Sequence, residues 1–299
     1  MSLRTDMAYE AAEAAAGIRG VTQTQEQIGG IGVTRVSVAT REAAAALDKP
    51  VGAYVTLERS AAAAADTFRD AVAGELANML GGISGHVLVI GLGNRFVTPD
   101  SLGPRTLDGL FVTRHIRAFA PELAPEGMRD VSAIAPGVLG VTGLETAEVV
   151  SAVVRRVRPA ALLCVDALVS LRADRIGRTV QMNDSGLLPG AGVNNRQRGL
   201  TREALGVPVF AIGVPTVVHA DTIARETARL LAEKTGMRDG DGALGEMAAA
   251  LIRAHTGEMI VTPKDVDKLV GDAARTLAQA INRALHGALY DTLAGILEA

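Results

Sequence analysis

The sequence predicts an α/β protein: a doubly wound, mainly parallel sheet sandwiched by helices, with a small strand and helix decoration at the N-terminal end. Three observations predict it. Short unbroken apolar runs at 86–91, 131–135, 161–165, 179–182 and 207–213 lack the alternation of half-exposed strands, as strands covered on both faces do. Helical windows intervene at 106–118, 145–157 and 221–233. Hydrophobic residues make up 48% of the chain and aromatic residues only 3%, so the core is built from Ala, Val, Leu and Ile, which let helices lie close on strands.

The elements follow in order. Residues 4–17 form a peripheral Ala/Glu-rich helix former, and 20–32 is polar and rich in turn residues. Residues 32–38 and 53–57 alternate apolar and polar side chains and are expected to pair as a small antiparallel edge. A strong helix over 61–80 ends at Gly81 and Gly82. The run 86–91 then enters a glycine turn and delivers Asp100 into a loop closed by Gly103 and Pro104. After the alternation of strands and helices, 244–299 holds two more helices. The second is expected to start at Pro263 with Thr262 as its cap, and Val266, Leu269, Val270, Ala273, Leu277, Ile281 and Leu285 recur on one face that packs on the sheet.

Composition bounds the function. The 299 residues are enough for one α/β domain with terminal decorations, and 30 Lys+Arg against 33 Asp+Glu, a net charge of −3, gives no global attraction to nucleic acid or an anionic membrane. The single cysteine, Cys164, excludes an internal disulfide, suits a reducing compartment and reads as a small buried hydrophobe. No apolar run approaches the roughly 20 residues that span a bilayer, and no basic region followed by an apolar core opens the chain. A cytoplasmic protein is expected.

Several nucleotide and nucleophile signatures fail. Gly91 and Gly93 follow a strand, but the dinucleotide fingerprint requires a third glycine where Phe96 stands, and no P-loop lysine follows. No Gly-x-Ser-x-Gly elbow is present, and the histidines His86, His115, His219, His255 and His286 show no zinc-peptidase spacing. Cys164 has no histidine positioned beside it. His219 stands apart because it follows a strand on the edge where ligands bind such sheets. The glycine-rich stretch 183–195 reads either as a flexible loop or as a wall whose backbone groups meet an extended peptide.

Asp100 and Asp166 are the sharper signal. Asp166 follows the run 161–165, and Asp100 follows another strand through a short loop, so both belong to the strands' carboxyl edge. Carboxylates facing one partly dry site split their pKa values into an acid and a base. The spacing alone reads more readily as two separate aspartates capping helices or turns.

The chain resembles the germination protease family of spore-forming bacteria. The matching blocks include Gly91-Leu-Gly-Asn94 with Val97-Thr-Pro-Asp-Ser-Leu-Gly-Pro104, Leu110-Phe-Val-Thr-Arg-His115 and Val131-Ser-Ala-Ile-Ala-Pro-Gly137. They continue through Val165-Asp-Ala-Leu168, Asp184-Ser-Gly186, Pro189-Gly190 and Ile212-Gly-Val-Pro-Thr-Val-Val218. The resemblance implies an atypical aspartic peptidase with Asp100 and Asp166 as its catalytic pair, no cofactor, no metal, and a fold akin to the hydrogenase-maturation peptidases. It implies a homotetrameric, self-processing zymogen in the spore core that degrades small acid-soluble spore proteins at germination. Arg4-Thr-Asp-Met-Ala-Tyr-Glu10 resembles the self-cleavage site, which places the scissile bond between Asp6 and Met7 and makes 1–6 a propeptide before a single domain, 7–299, with core 86–235 and C-terminal helices 244–299. Asn94, Thr98, Ser185, Gly186, Gly190 and His219, in or beside these blocks, are the candidate substrate-binding residues. His219, where relatives are expected to carry Asp, and Leu188, where some carry His, depart from the pattern. Two other readings stay open: a metal-assisted peptidase using Asp100, Asp166 and His219, and a non-enzymatic small-molecule-binding protein on the same sheet.

Overall fold

The computed structural model describes residues 5–14, 17–187, 199–236 and 242–297, with the side chains of 14, 296 and 297 excepted. Arg4, Leu188 and Gly190 lie outside the described residues. The strands are β1 (Val21–Ile28), β2 (Ile31–Val38), β3 (Gly52–Arg59), β4 (Val87–Gly91), β5 (Val131–Ile134), β6 (Ala161–Ser170), β7 (Thr179–Asn183), β8 (Val209–His219) and β9 (Ile260–Val261). They form one sheet in the order β1-β2-β3-β7-β8-β6-β4-β5, with β9 added on β8.

The sheet is mixed rather than mainly parallel. β5, β4, β6 and β8 run parallel, whereas β7 pairs antiparallel with both β8 and β3, and β1–β3 and β9 are antiparallel too. The reason is connection length. Only 171–178 joins β6 to β7, too short for the crossover of a dozen or more residues that a parallel return requires. The pair β2–β3 forms as expected, but through β7 it extends the main sheet instead of standing apart.

Alternate residues of the central strands separate two hydrophobic clusters, one on each face. Val87, Val89, Leu163 and Val165 pack with Phe68, Val72 and Leu76 of helix Ala65–Met79 and with Leu277 and Ile281 of helix Val266–His286. Leu88, Ile90, Leu162 and Cys164 pack with Val150 and Val154 of helix Thr146–Val157. Burial of each large aliphatic side chain contributes about 1.5–3 kcal/mol. Cys164 is fully buried, which pushes its thiol up.

Three local expectations change. β1 lies where a polar turn region was expected: its side chains are largely exposed, and it is a strand because it pairs with β2 from Val21↔Val38 to Ile28↔Ile31. The helix expected over 106–118 splits into Leu102–Leu107 and Arg114–Phe119. Buried Asn282 explains the break, since its amide donates to Gly109 O (2.9 Å) and accepts from Phe111 N–H (2.9 Å), capturing backbone groups that a continuous helix would use. The last long helix begins at Val266, not Pro263, and Thr262 instead donates its hydroxyl to Thr216 O of β8 at 2.9 Å. Among the described residues no helix is long and apolar enough to cross a membrane.

Candidate active site

The carboxyl ends of β4, β6 and β8 open onto a cavity of about 530 Å³ whose lining includes Asp6, Lys49, Asp100, Asp166, Gln181 and Gly186. Asp100 is placed by the turn that leaves β4. Gly93 has φ +103°, and a Cβ there would lie 2.0 Å from Asp100 O, so only glycine lets the loop close. The next N–H, that of Asn94, donates to Asp100 Oδ2 at 2.7 Å, and Thr216 Oγ1 of β8 donates to Pro99 O at 2.8 Å. Gly103 then presses helix Leu102–Leu107 onto the sheet, where a Cβ would meet Leu92 O at 2.3 Å and Val165 O at 2.6 Å.

Asp166 does not follow its strand; it stands inside it. β6 continues to Ser170 because β8 also runs on, to His219, and the two stay paired beyond the point where β4 ends at Gly91↔Val165. Asp166 Oδ1 accepts from Ala167 N–H at 2.9 Å. Burial, then the neighbouring Asp100 carboxylate, then that of Asp6, push Asp166 well above the usual carboxylate range. Asp100 is also raised by burial, but the Asn94 N–H draws it back. Both aspartates therefore line one cavity in unlike environments, with Asp166 the more strongly biased toward its neutral form.

Asp6, within the segment Thr5–Glu10, lines the same cavity. Beyond Gly91, β4 no longer covers β6, and Asp6 takes the place: its N–H donates to Val169 O at 3.1 Å and its Oδ2 accepts from Val169 N–H at 2.8 Å. Lys49 Nζ donates to Thr5 O at 2.6 Å. Burial pushes the Asp6 carboxyl up, while Lys49, the Val169 N–H and His219 pull it back down. Burial lowers Lys49, and Asp6 opposes that. Met7 and Ala8 are fully buried. Glu10, at 4% exposure, anchors the segment by accepting from Arg175 Nη1 (2.6 Å), Ser170 Oγ (2.7 Å) and Leu171 N–H (2.8 Å).

The other candidates are distributed unevenly. Gly186 lines the cavity. Ser185 Oγ bonds Tyr54 OH at 3.0 Å on the β3–β7 side, and burial pushes the Tyr54 phenol up to about 12. His219 is buried at the end of β8, within electrostatic reach of Asp6. The Asn94 side chain accepts from Phe96 N–H within its own turn, and Thr98 Oγ1 donates to Asp267 at 2.9 Å on helix Val266–His286. Sequence reasoning missed Lys49, Tyr54 and Gln181. For Gln181 a signal existed, a polar amide inside the apolar run 179–182. Among the described residues, no group of at least three His, Cys, Asp or Glu side chains is arranged to hold a metal ion.

An α/β sheet with a carboxylate-lined cavity at the ends of its parallel strands defines the class: an α/β protein with an acidic site at the edge where such folds bind ligands and carry chemistry. The model of the germination protease family matches residues 2–255. Germination proteases of Clostridium tetani and of Caldanaerobacter subterraneus subsp. tengcongensis are 41% and 39% identical to the chain, each over 97% of it and over 97% and 96% of their own lengths. That of Bacillus subtilis is 34% identical over 95% of the chain and 93% of its own length. The chain belongs to the germination protease family and is a peptidase.

Proposed function

We propose that the chain is an aspartic endopeptidase that starts the degradation of small acid-soluble spore proteins at germination, with Asp100 and Asp166 as its catalytic pair. The observation that carries this reading is that both aspartates line one cavity together with Asp6, which is bonded to Val169 of β6. Ionised Asp100 takes a proton from a water molecule whose oxygen attacks the scissile carbonyl carbon. Asp166, held toward its neutral form, donates its proton to the carbonyl oxygen. The tetrahedral adduct collapses as the C–N bond breaks: Asp100 passes the proton it took from water to the leaving nitrogen, Asp166 takes back a proton from an adduct hydroxyl as the new carboxyl forms, and the pair returns to its starting state.

On this reading residues 1–6 are a propeptide removed between Asp6 and Met7, and 7–299 is one domain that assembles as a homotetramer in the spore core. The substrate enters extended, along the β6 edge that Asp6 occupies. The parallel strands β5-β4-β6-β8, with helices on both faces, support kinship with the hydrogenase-maturation peptidases. Asp100→Asn and Asp166→Asn tested singly, by intact mass for self-cleavage and by hydrolysis of a small acid-soluble spore protein, are expected to lose both activities and keep a cooperative melt. A processed, active Asp166→Asn protein overturns the pair.

A further inference from the structure

We propose that Gln181 grips the scissile bond, its amide donating to the carbonyl oxygen on which charge builds as water attacks and to which Asp166 passes its proton, and accepting from the second N–H beyond the cleaved bond. The proposal rests on the peptidase reading of Asp100 and Asp166. Gln181 Nε2 donates to Asp6 O at 2.9 Å, and Ala8 N–H donates to Gln181 Oε1 at 2.6 Å. A backbone N–H can only donate and a backbone carbonyl can only accept, so these two bonds fix which way the amide points. The carbonyl it holds belongs to the Asp6–Met7 bond.

Strand register shows why this residue meets that bond. Asp166 of β6 and Gln181 of β7 both pair with Gly213 of the intervening β8, so the three form one row across the sheet. Residues paired in register point to the same face, and their Cα atoms here are about 10 Å apart, two strand spacings. Gly213 puts no side chain between them. The row is therefore an acid, a glycine over which Leu168 packs, and an amide, all lining one cavity, so a peptide bond held by Gln181 lies on the sheet face that carries Asp166.

Gln181 is 4% exposed, and among the described residues its side chain bonds only Asp6 and Ala8. A buried amide that serves nothing but the backbone of the N-terminal segment is left unpaired when that segment departs. It is then ready to pair with the same two backbone groups of another extended chain. Both contacts are to main chain, so the grip suits an unfolded polypeptide of varied sequence. A donor aimed at the carbonyl oxygen on which charge develops in the transition state contributes about 100-fold or more to the rate.

The test is the first-order rate of self-cleavage of the full chain, followed by intact mass, for wild type, Q181L, Q181E, A8P, the double variant A8P/Q181L, and D166N. Ala8 opens a helix, where proline is tolerated, so A8P removes the N–H that Gln181 accepts. Q181L and Q181E are expected to slow cleavage about 100-fold. A8P alone should slow it about 10-fold, the worth of one hydrogen bond, and should add nothing to Q181L. Wild-type rates for a folded Q181L, or a full A8P penalty on top of Q181L, overturn the proposal. Should Q181L not melt cooperatively, Q181E assayed up to a pH at which its carboxyl is ionised carries the test, because the carboxylate keeps the volume and an acceptor for Ala8 but cannot donate to Asp6 O; an unslowed Q181E at that pH overturns it. D166N separates the two readings: cleavage by D166N ends the reading of Asp100 and Asp166 as the catalytic pair, whereas an inert D166N beside an unslowed Q181L ends only this one.

Discussion

The parallel half of the sheet, β5-β4-β6-β8, and the antiparallel half, β1-β2-β3-β7, meet at one cavity and bring different chemistry to it. From the parallel half come Asp100, at the end of a glycine turn, and Asp166, inside a strand that outruns its neighbour. From the antiparallel half come Gln181 and Tyr54, neutral hydrogen-bonding groups, with Lys49 in the connection between β2 and β3. Strand ends that converge on one edge supply titratable groups at high local density. A strand running the other way brings its mid-length side chains to that same edge and supplies a grip without adding charge. The N-terminal segment bridges the two halves, bonding Val169 on one and Gln181 on the other.

The sharpest way to break that division is to remove charge chemistry from the parallel half alone. Asp100→Asn or Asp166→Asn is expected to lower hydrolysis by about 10⁴-fold or more, measured as kcat/KM, because residues acting as a unit fail together. Loss of a few-fold only would mean that the parallel half does not hold the reacting groups.

The bridge comes next. Glu10→Ala leaves the Arg175 guanidinium, 2% exposed, without its 2.6 Å partner. Removal of one member of a buried ion pair costs about 3–5 kcal/mol, here at the lower end because Glu58 and Glu13 also approach Arg175 at 3.5 and 3.8 Å. Urea unfolding of unprocessed D166N and of D166N/Glu10→Ala checks this, with the segment held in place in both.

Gly93→Ala forces a side chain into backbone at φ +103° and against Asp100 O. About 1–3 kcal/mol of stability is expected to go, with a disproportionate loss of activity as Asp100 moves. Full activity at unchanged stability would show that the turn is not what places Asp100.

The pH dependence of stability is a smaller effect and isolates Asp166. Its folded pKa lies above the ordinary value, so the folded state holds the proton more tightly, and stability falls as pH rises from the ordinary carboxylate range through the folded pKa. Asp166→Asn carries no such penalty. It should melt at least about 2 °C higher than wild type at neutral pH, and that advantage should vanish as pH drops below the ordinary carboxylate pKa. An advantage of Asp166→Asn that grows on acidification would contradict the direction of the shift.

The smallest effect is expected on the outer edge of the antiparallel half. Exposed Gln25→Thr on β1 should change stability by no more than about 0.5 kcal/mol and activity not at all.

Strands covered on both faces were legible as apolar runs, and β4 through β8 stand close to where those runs lie. β1 was not legible, because an edge strand in water needs no apolar face and is a strand only through its pairing with β2. The break in the 106–118 helix was hidden for a related reason: its cause, Asn282, lies far along the chain. Asp100 and Asp166 were legible as candidates from their positions after apolar runs, whereas Gln181 was visible only as a polar residue in a buried strand, with nothing to say which face it used.

By itself, then, the sequence determined the local elements, the glycine turn that carries Asp100, the resemblance in its motifs and the absence of nucleotide, zinc and serine-nucleophile signatures. Only the tertiary structure decided that Asp166, Gly213 and Gln181 share a row and that the N-terminal segment lies along it. Periodicity reports how each short stretch meets solvent. Register between strands that are distant in the chain is set by how the whole sheet closes, and no local pattern encodes it.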